Sequence, residues 1–106
     1  LGRSVLRFVD QPHGRIKSLG VRIEKGGATA AYAVDFHEMT TAMASLYEGV
    51  DLWICDCLRR TPHPTHAHLD AVLGWARDFN VGQLLLTHLD KSMDYVTVSG
   101  EVPPHW

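Results

Sequence analysis

Apolar and polar positions alternate loosely over residues 4–10 and again over 19–24, which predicts two strands. Gln11-Pro12-His13-Gly14 breaks the first of them. Lys25-Gly26-Gly27 predicts a hairpin-like turn into a third strand over 28–34, ending at Asp35. Between residues 38 and 47, Met39, Ala42, Met43 and Leu46 recur at helical spacing, and Gly49 closes that helix. Leu52-Trp53-Ile54-Cys55 is an unbroken apolar run, the pattern of a strand buried on both faces. Pro62 and Pro64 mark the loop that follows, because proline cannot continue a helix or an interior strand. Leu69, Val72, Leu73, Ala76 and Phe79 then form the stripe of a second helix. Gln83-Leu84-Leu85-Leu86-Thr87 reads as another buried strand. Residues 95–98 favour a strand by propensity and also fit a short helix, and Pro103-Pro104 ends the ordered chain. Strands joined by helices need crossover connections. The expectation is therefore an α/β chain with a mixed, partly parallel sheet and helices packed on it.

Composition narrows the function classes. The 106 residues are enough for one domain, and 45% hydrophobic with 21% charged residues excludes a disordered chain. A net charge of −2 argues against a protein held to nucleic acid by its phosphate backbone. No apolar run approaches the roughly 20 residues of a membrane helix, and the start has no signal-peptide pattern. Cys55 and Cys57 flank Asp56 and would share a strand face, but two cysteines do not make a disulfide framework, so a reducing, cytoplasmic setting is expected. The unusual feature is seven histidines.

Their positions matter more than their number. His13 follows the first predicted strand, Asp35 ends the third, Asp56 the fourth and His88 the fifth. Carboxyl ends of successive strands converge on one edge of an open sheet, where such sheets place their sites. Imidazoles and carboxylates together are a ligand set for zinc, manganese or iron. Singly, each residue has a plainer reading: a strand-end Asp as a cap, a lone His as a hydrogen-bonded polar group.

These residues lie in segments that resemble the C-terminal half of a metallo-β-lactamase-fold hydrolase. The branch most similar is that of the phosphodiesterases acting on phosphoribosyl 1,2-cyclic phosphate. The matching stretches are Pro12-His13-Gly14 with Leu19-Gly20-Val21-Arg22-Ile23, Ala31-Tyr32-Ala33-Val34-Asp35, and Leu52-Trp53-Ile54-Cys55-Asp56. The most specific are Pro62-His63-Pro64-Thr65-His66-Ala67-His68-Leu69-Asp70 and Leu85-Leu86-Thr87-His88, followed by Met93-Asp94-Tyr95. The resemblance implies half of an αββα fold of α+β sandwich type, a mixed sheet with helices packed on one face. It implies His13 and His88 as metal ligands, Asp35 as the carboxylate bridging two metal ions, and His66 as a catalytic histidine that contacts the substrate phosphate. The complete enzyme would hold two divalent ions, zinc or manganese, and hydrolyse a small cyclic or ribose-linked phosphodiester. The family's His-x-His-x-Asp-His signature is not in this chain. Residues 1–106 therefore read as a single partial domain, with weak or absent metal occupancy and little activity by itself. Lys91 departs from the residue this branch often carries after its last ligand.

Alternatives stay open. His66-Ala67-His68-Leu69-Asp70-Ala71 fits the missing signature except at its last position, which would make His66, His68 and Asp70 metal ligands; the proline-rich loop before it, instead of a buried strand, disfavours this. Asp56 reads as a supporting strand-end carboxylate, His37 lies close enough to Asp35 to reach the same edge, and His68 reads as solvent-facing. Arg59 and Arg60 fit either a phosphate contact or a solvated loop. Two other functions compete: a tRNA 3′-processing endonuclease, disfavoured by the acidic charge, and a non-catalytic dimerising module. The expected partners are a small phosphodiester and either the missing N-terminal half-domain or a second copy in a homodimer, with no membrane and with nucleic acid disfavoured.

Overall fold

The computed structural model describes residues 4–58, 62 and 66–87. Strands β1 (Val5–His13), β2 (Ile16–Lys25) and β3 (Ala28–Ala33) come first. Helix α1 (Thr41–Tyr47), strand β4 (Leu52–Asp56), helix α2 (Leu69–Asp78) and strand β5 (Gln83–Thr87) follow. The five strands form one sheet in chain order. The first three pair antiparallel, whereas β3–β4 and β4–β5 pair parallel. Each parallel pair is joined through a helix, as its geometry demands. This is the mixed, partly parallel sheet that the sequence pattern anticipates.

Local chemistry sets the element ends. Gly26 and Gly27 both have positive φ, 58° and 82°, as a two-residue hairpin turn between β2 and β3 requires. The break expected at Gln11-Pro12 does not occur: β1 runs on to His13, with Pro12 opposite Lys17. β1 is an edge strand, where a missing N–H is tolerated. Helix α1 starts at Thr41, later than its apolar spacing suggests, because the Thr40 hydroxyl caps it by accepting from the Met43 amide at 3.2 Å. Its other end is capped from the sheet. Arg22 of β2, itself held by Glu24 at 2.9 Å, donates to the carbonyls of Leu46 at 2.9 Å and Glu48 at 3.1 Å.

One face of the sheet carries the core. Ala31, Ala33, Trp53, Cys55 and Leu84 are buried with Met43 and Tyr47 of α1 and Leu69, Val72 and Ala76 of α2. The Trp53 ring centroid lies 5.4 Å from that of Tyr47 and 5.7 Å from that of Phe79.

The other face is bare. Phe8, Val21, Tyr32, Ile54 and Leu85 stand opposite one another across all five strands. Phe8 is 55% exposed, and Tyr32 and Leu85 are each 45% exposed. Leu6 and Ile23 extend the row and are also exposed. The apolar runs of β4 and β5 thus do not mark strands buried on both faces, as their sequence suggests. Ile54 is half-buried and Leu85 exposed, because both described helices pack on the opposite side.

Candidate metal centre

β1 runs in the same direction as β3, β4 and β5, since β2 is antiparallel to both of its neighbours. Four carboxyl ends therefore share one edge. His13 is the last residue of β1, Asp35 lies two residues beyond β3, and Asp56 is the last residue of β4, opposite Thr87 of β5. His88, next in sequence, lies outside the described residues, as do Arg59, Arg60, Lys91, His63 and residues 95–98.

Each side chain is placed by a local device. His13 precedes the Gly14-Arg15 turn, and His37 fastens that turn twice. The His37 amide donates to the Pro12 carbonyl at 3.1 Å, and the Gly14 amide donates to His37 Nδ1 at 3.3 Å. His37 thus acts on the edge through the turn that carries His13. Asp35 holds a left-handed backbone, φ 57°. His66 lies in the connection between β4 and α2. The Leu58 amide donates to the Ala67 carbonyl at 3.1 Å, and Cys57 donates to the Thr87 carbonyl at 3.0 Å, drawing this connection against the strand ends.

His13, Asp35 and His66 each bring a ligand atom within 4.8 Å of the others. The His13 and His66 rings meet edge to face, with centroids 5.0 Å apart. His66 Nδ1 lies 4.0 Å from an Asp35 oxygen and 2.8 Å from Asp56 Oδ2. Asp56 is fully buried, whereas the Asp35 side chain is 44% exposed, so a cation can reach the second carboxylate and not the first. A carboxylate oxygen only accepts, so His66 donates its Nδ1–H to Asp56. That bond fixes the tautomer and leaves Nε2 as the nitrogen for a ligand.

The donor set suits a divalent cation, with two imidazoles and one accessible carboxylate within reach of a common point. The alternative set does not assemble. Among the described residues, His68 and Asp70 join no ligand cluster: His68 is the half-buried N-cap of α2, and Asp70 sits in the first turn of that helix.

The Asp56–His66 pair escapes sequence reasoning. Its one signal is a carboxylate closing an apolar, buried strand, where an acid needs a partner.

The sequence profile of the beta-lactamase superfamily domain matches residues 2–89. The chain belongs to that superfamily. Its fold is the metallo-β-lactamase fold. A crystal structure of a diphosphatase of the PhnP family superposes with a TM-score of 0.88 at 27% identity, over 99% of this chain and 40% of that one. Human tRNase Z, short form, gives a TM-score of 0.73 at 18% identity, over 85% of this chain and 38% of that one. Zn²⁺-bound PqqB from Methylobacterium extorquens gives 0.73 at 14% identity, over 95% and 46%. The last two likenesses show the fold alone. This superfamily member spans less than half the length of each of these proteins. No curated protein sequence matches it. Among the described residues, no helix is long and apolar enough to cross a membrane.

Proposed function

We propose that this superfamily member hydrolyses a small phosphodiester, cyclic or ribose-linked, using divalent cations held by His13, Asp35 and His88. The observation that carries this reading is the meeting of His13, Asp35 and the Asp56-bound His66 at one sheet edge. Zinc or manganese bound there would neutralise charge at a phosphoryl oxygen and activate a water as nucleophile. The residues do the rest. Asp35, the exposed carboxylate beside the two imidazoles, would hold the cations together with His13 and His88. His66 meets the phosphate through Nε2, where it hydrogen-bonds an oxygen or delivers a proton to the leaving alkoxide. Asp56 holds the ring in place and fixes its tautomer. The PhnP-family likeness supports a small phosphate substrate. The net charge of −2 disfavours a tRNA substrate.

The test uses full-length protein, purified without chelator, with metal content measured and turnover followed on a ribose 1,2-cyclic phosphate, a diphosphate-linked nucleotide and a precursor tRNA. Cleavage of the cyclic phosphate is expected, lost with chelator and restored by Zn²⁺ or Mn²⁺. Preference for the diphosphate moves the substrate class, and preference for the tRNA replaces it. Bound metal without turnover of any of the three makes the chain a non-catalytic module, and protein that takes up no metal removes the hydrolase reading.

The bare sheet face supports a second expectation. An apolar row across five strands, with Leu6, Phe8, Ile23, Tyr32 and Leu85 exposed, is the kind of contiguous surface that marks an association site. Two such faces stack as a sheet-on-sheet sandwich about 10 Å apart. The 106-residue chain is therefore expected to form a homodimer through this face at micromolar concentration, measured by light scattering, with Phe8→Glu shifting it to monomer. Monomeric wild-type protein overturns the pairing and leaves the face to another segment.

A further inference from the structure

Two described residues other than glycine have positive φ: Asn80 at 54° and Asp35 at 57°. Asn80 follows the C-cap of α2, where helices commonly end in this conformation. Asp35 follows a strand, so no helix end accounts for its backbone. Strain of this kind persists only where the surroundings over-determine it, and it gathers at functional sites.

The surroundings are a chain of hydrogen bonds with a single direction. The Tyr47 hydroxyl of α1 donates to Gln11 Oε1 of β1. That contact fixes the amide orientation, so Gln11 Nε2 donates to Ser18 Oγ and to the Val34 carbonyl, each at 3.0 Å. Ser18, opposite Gln11 on β2, then spends its hydrogen on the Asp35 carbonyl at 2.6 Å, with the Val34 carbonyl at 3.3 Å. Gln11 and Tyr47 are fully buried. Burial, and secondarily Cys55, pushes the Tyr47 phenol well above its ordinary range, so it stays a donor.

Gly20 gives independent support. A Cβ at this position would lie 1.9 Å from the Tyr47 hydroxyl oxygen and 2.6 Å from Gln11 Oε1. The sequence leaves out a side chain where the tyrosine must reach the glutamine. In a strand interior a glycine otherwise only weakens the strand.

We propose that Tyr47, Gln11 and Ser18 are positioning residues: a buried relay from α1 through β1 and β2 that holds Asp35 in its left-handed conformation and so presents its carboxylate to the cation beside His13 and His66. The metal half of this statement rests on the function proposed above. The backbone half does not.

The experiment reads both halves in the full-length protein. In metal-free protein, the Asp35 Cα and amide chemical shifts report its φ. Ser18→Ala and Tyr47→Phe are expected to move them away from left-handed values, while Ser18→Thr, which keeps the hydroxyl, leaves them in place. The second readout is Co²⁺ titrated by its visible absorption. Ser18→Ala is expected to weaken Co²⁺ binding by about tenfold or more, the usual cost of losing an outer-shell support. Tyr47→Phe weakens it less, and Ser18→Thr restores it. Val72→Ala, a core truncation in α2 away from the relay, lowers the melting temperature without changing Co²⁺ affinity. Asp35 shifts unmoved by Ser18→Ala overturn the relay, and so does Co²⁺ affinity that falls equally in Val72→Ala. Wild-type protein that takes up no Co²⁺ overturns the metal reading instead, and the Asp35 shifts still decide whether the relay sets the backbone. Should Ser18→Ala fail to fold, Tyr47→Phe carries the same comparison.

Discussion

Replacing His66 by alanine is expected to slow phosphodiester hydrolysis about 10²–10⁴-fold, the range of a positioned acid–base group, while bound metal stays at the wild-type level. The Asp56 bond occupies Nδ1 at 2.8 Å, and the proposed ligand set does not need this ring. Asp56→Asn keeps the shape of the partner but can present either an amide donor or a weaker acceptor to Nδ1. A loss of about 10–100-fold in activity is expected, again with metal retained. Because the two residues act as one unit, the double variant should be no slower than His66→Ala alone. Steady-state rates and metal analysis on the four proteins complete the cycle. Metal lost with His66→Ala would make His66 a ligand. Additive losses would mean that Asp56 works on something other than this ring.

The second large effect belongs to Asp35. Asp35→Ala removes the accessible carboxylate from the proposed ligand set and leaves the imidazoles of His13 and His88, fewer than the three protein ligands a catalytic zinc normally has. Substoichiometric metal and activity at background are expected, measured by elemental analysis and by turnover of the cyclic phosphate. Alanine tolerates the left-handed backbone less well than aspartate, so Asp35→Asn is the companion variant: asparagine accepts this conformation and lacks the charge. If Asp35→Asn keeps stoichiometric metal and wild-type turnover, the carboxylate is not a ligand and the centre must be built elsewhere.

Much of this arrangement is visible in the amino-acid order, for a simple reason. Strand ends are legible from where apolar runs stop, and parallel strands bring their ends together. His13, Asp35 and Asp56 can therefore be placed on one edge before any coordinates are known. The stripe Leu69, Val72, Ala76 fixes α2 in the same way, since a period of 3.6 admits one buried face. The relations across loops are not legible. Nothing in the spacing of Asp56 and His66 says that the ring folds back onto the carboxylate, because loop geometry is set by tertiary contacts such as Leu58 with Ala67. Gln11 and Ser18 look like ordinary polar strand residues. Their importance depends on Tyr47 arriving from a helix far along the chain. The runs in β4 and β5 mislead for the opposite reason. A face that lies bare here has the same residue pattern as one already covered, so the sequence reports an apolar face but not what packs on it.

His13, Asp35 and His88 are far apart along the chain, separated by a β-hairpin on one side and by two crossovers on the other. Cations held by these three would pin distant points of the polypeptide together, offsetting loop-closure entropy that weaker contacts must otherwise offset alone. An ion bound there would add to the stability of a sheet that is already complete, and the melting temperature of metal-loaded protein would exceed that of metal-free protein.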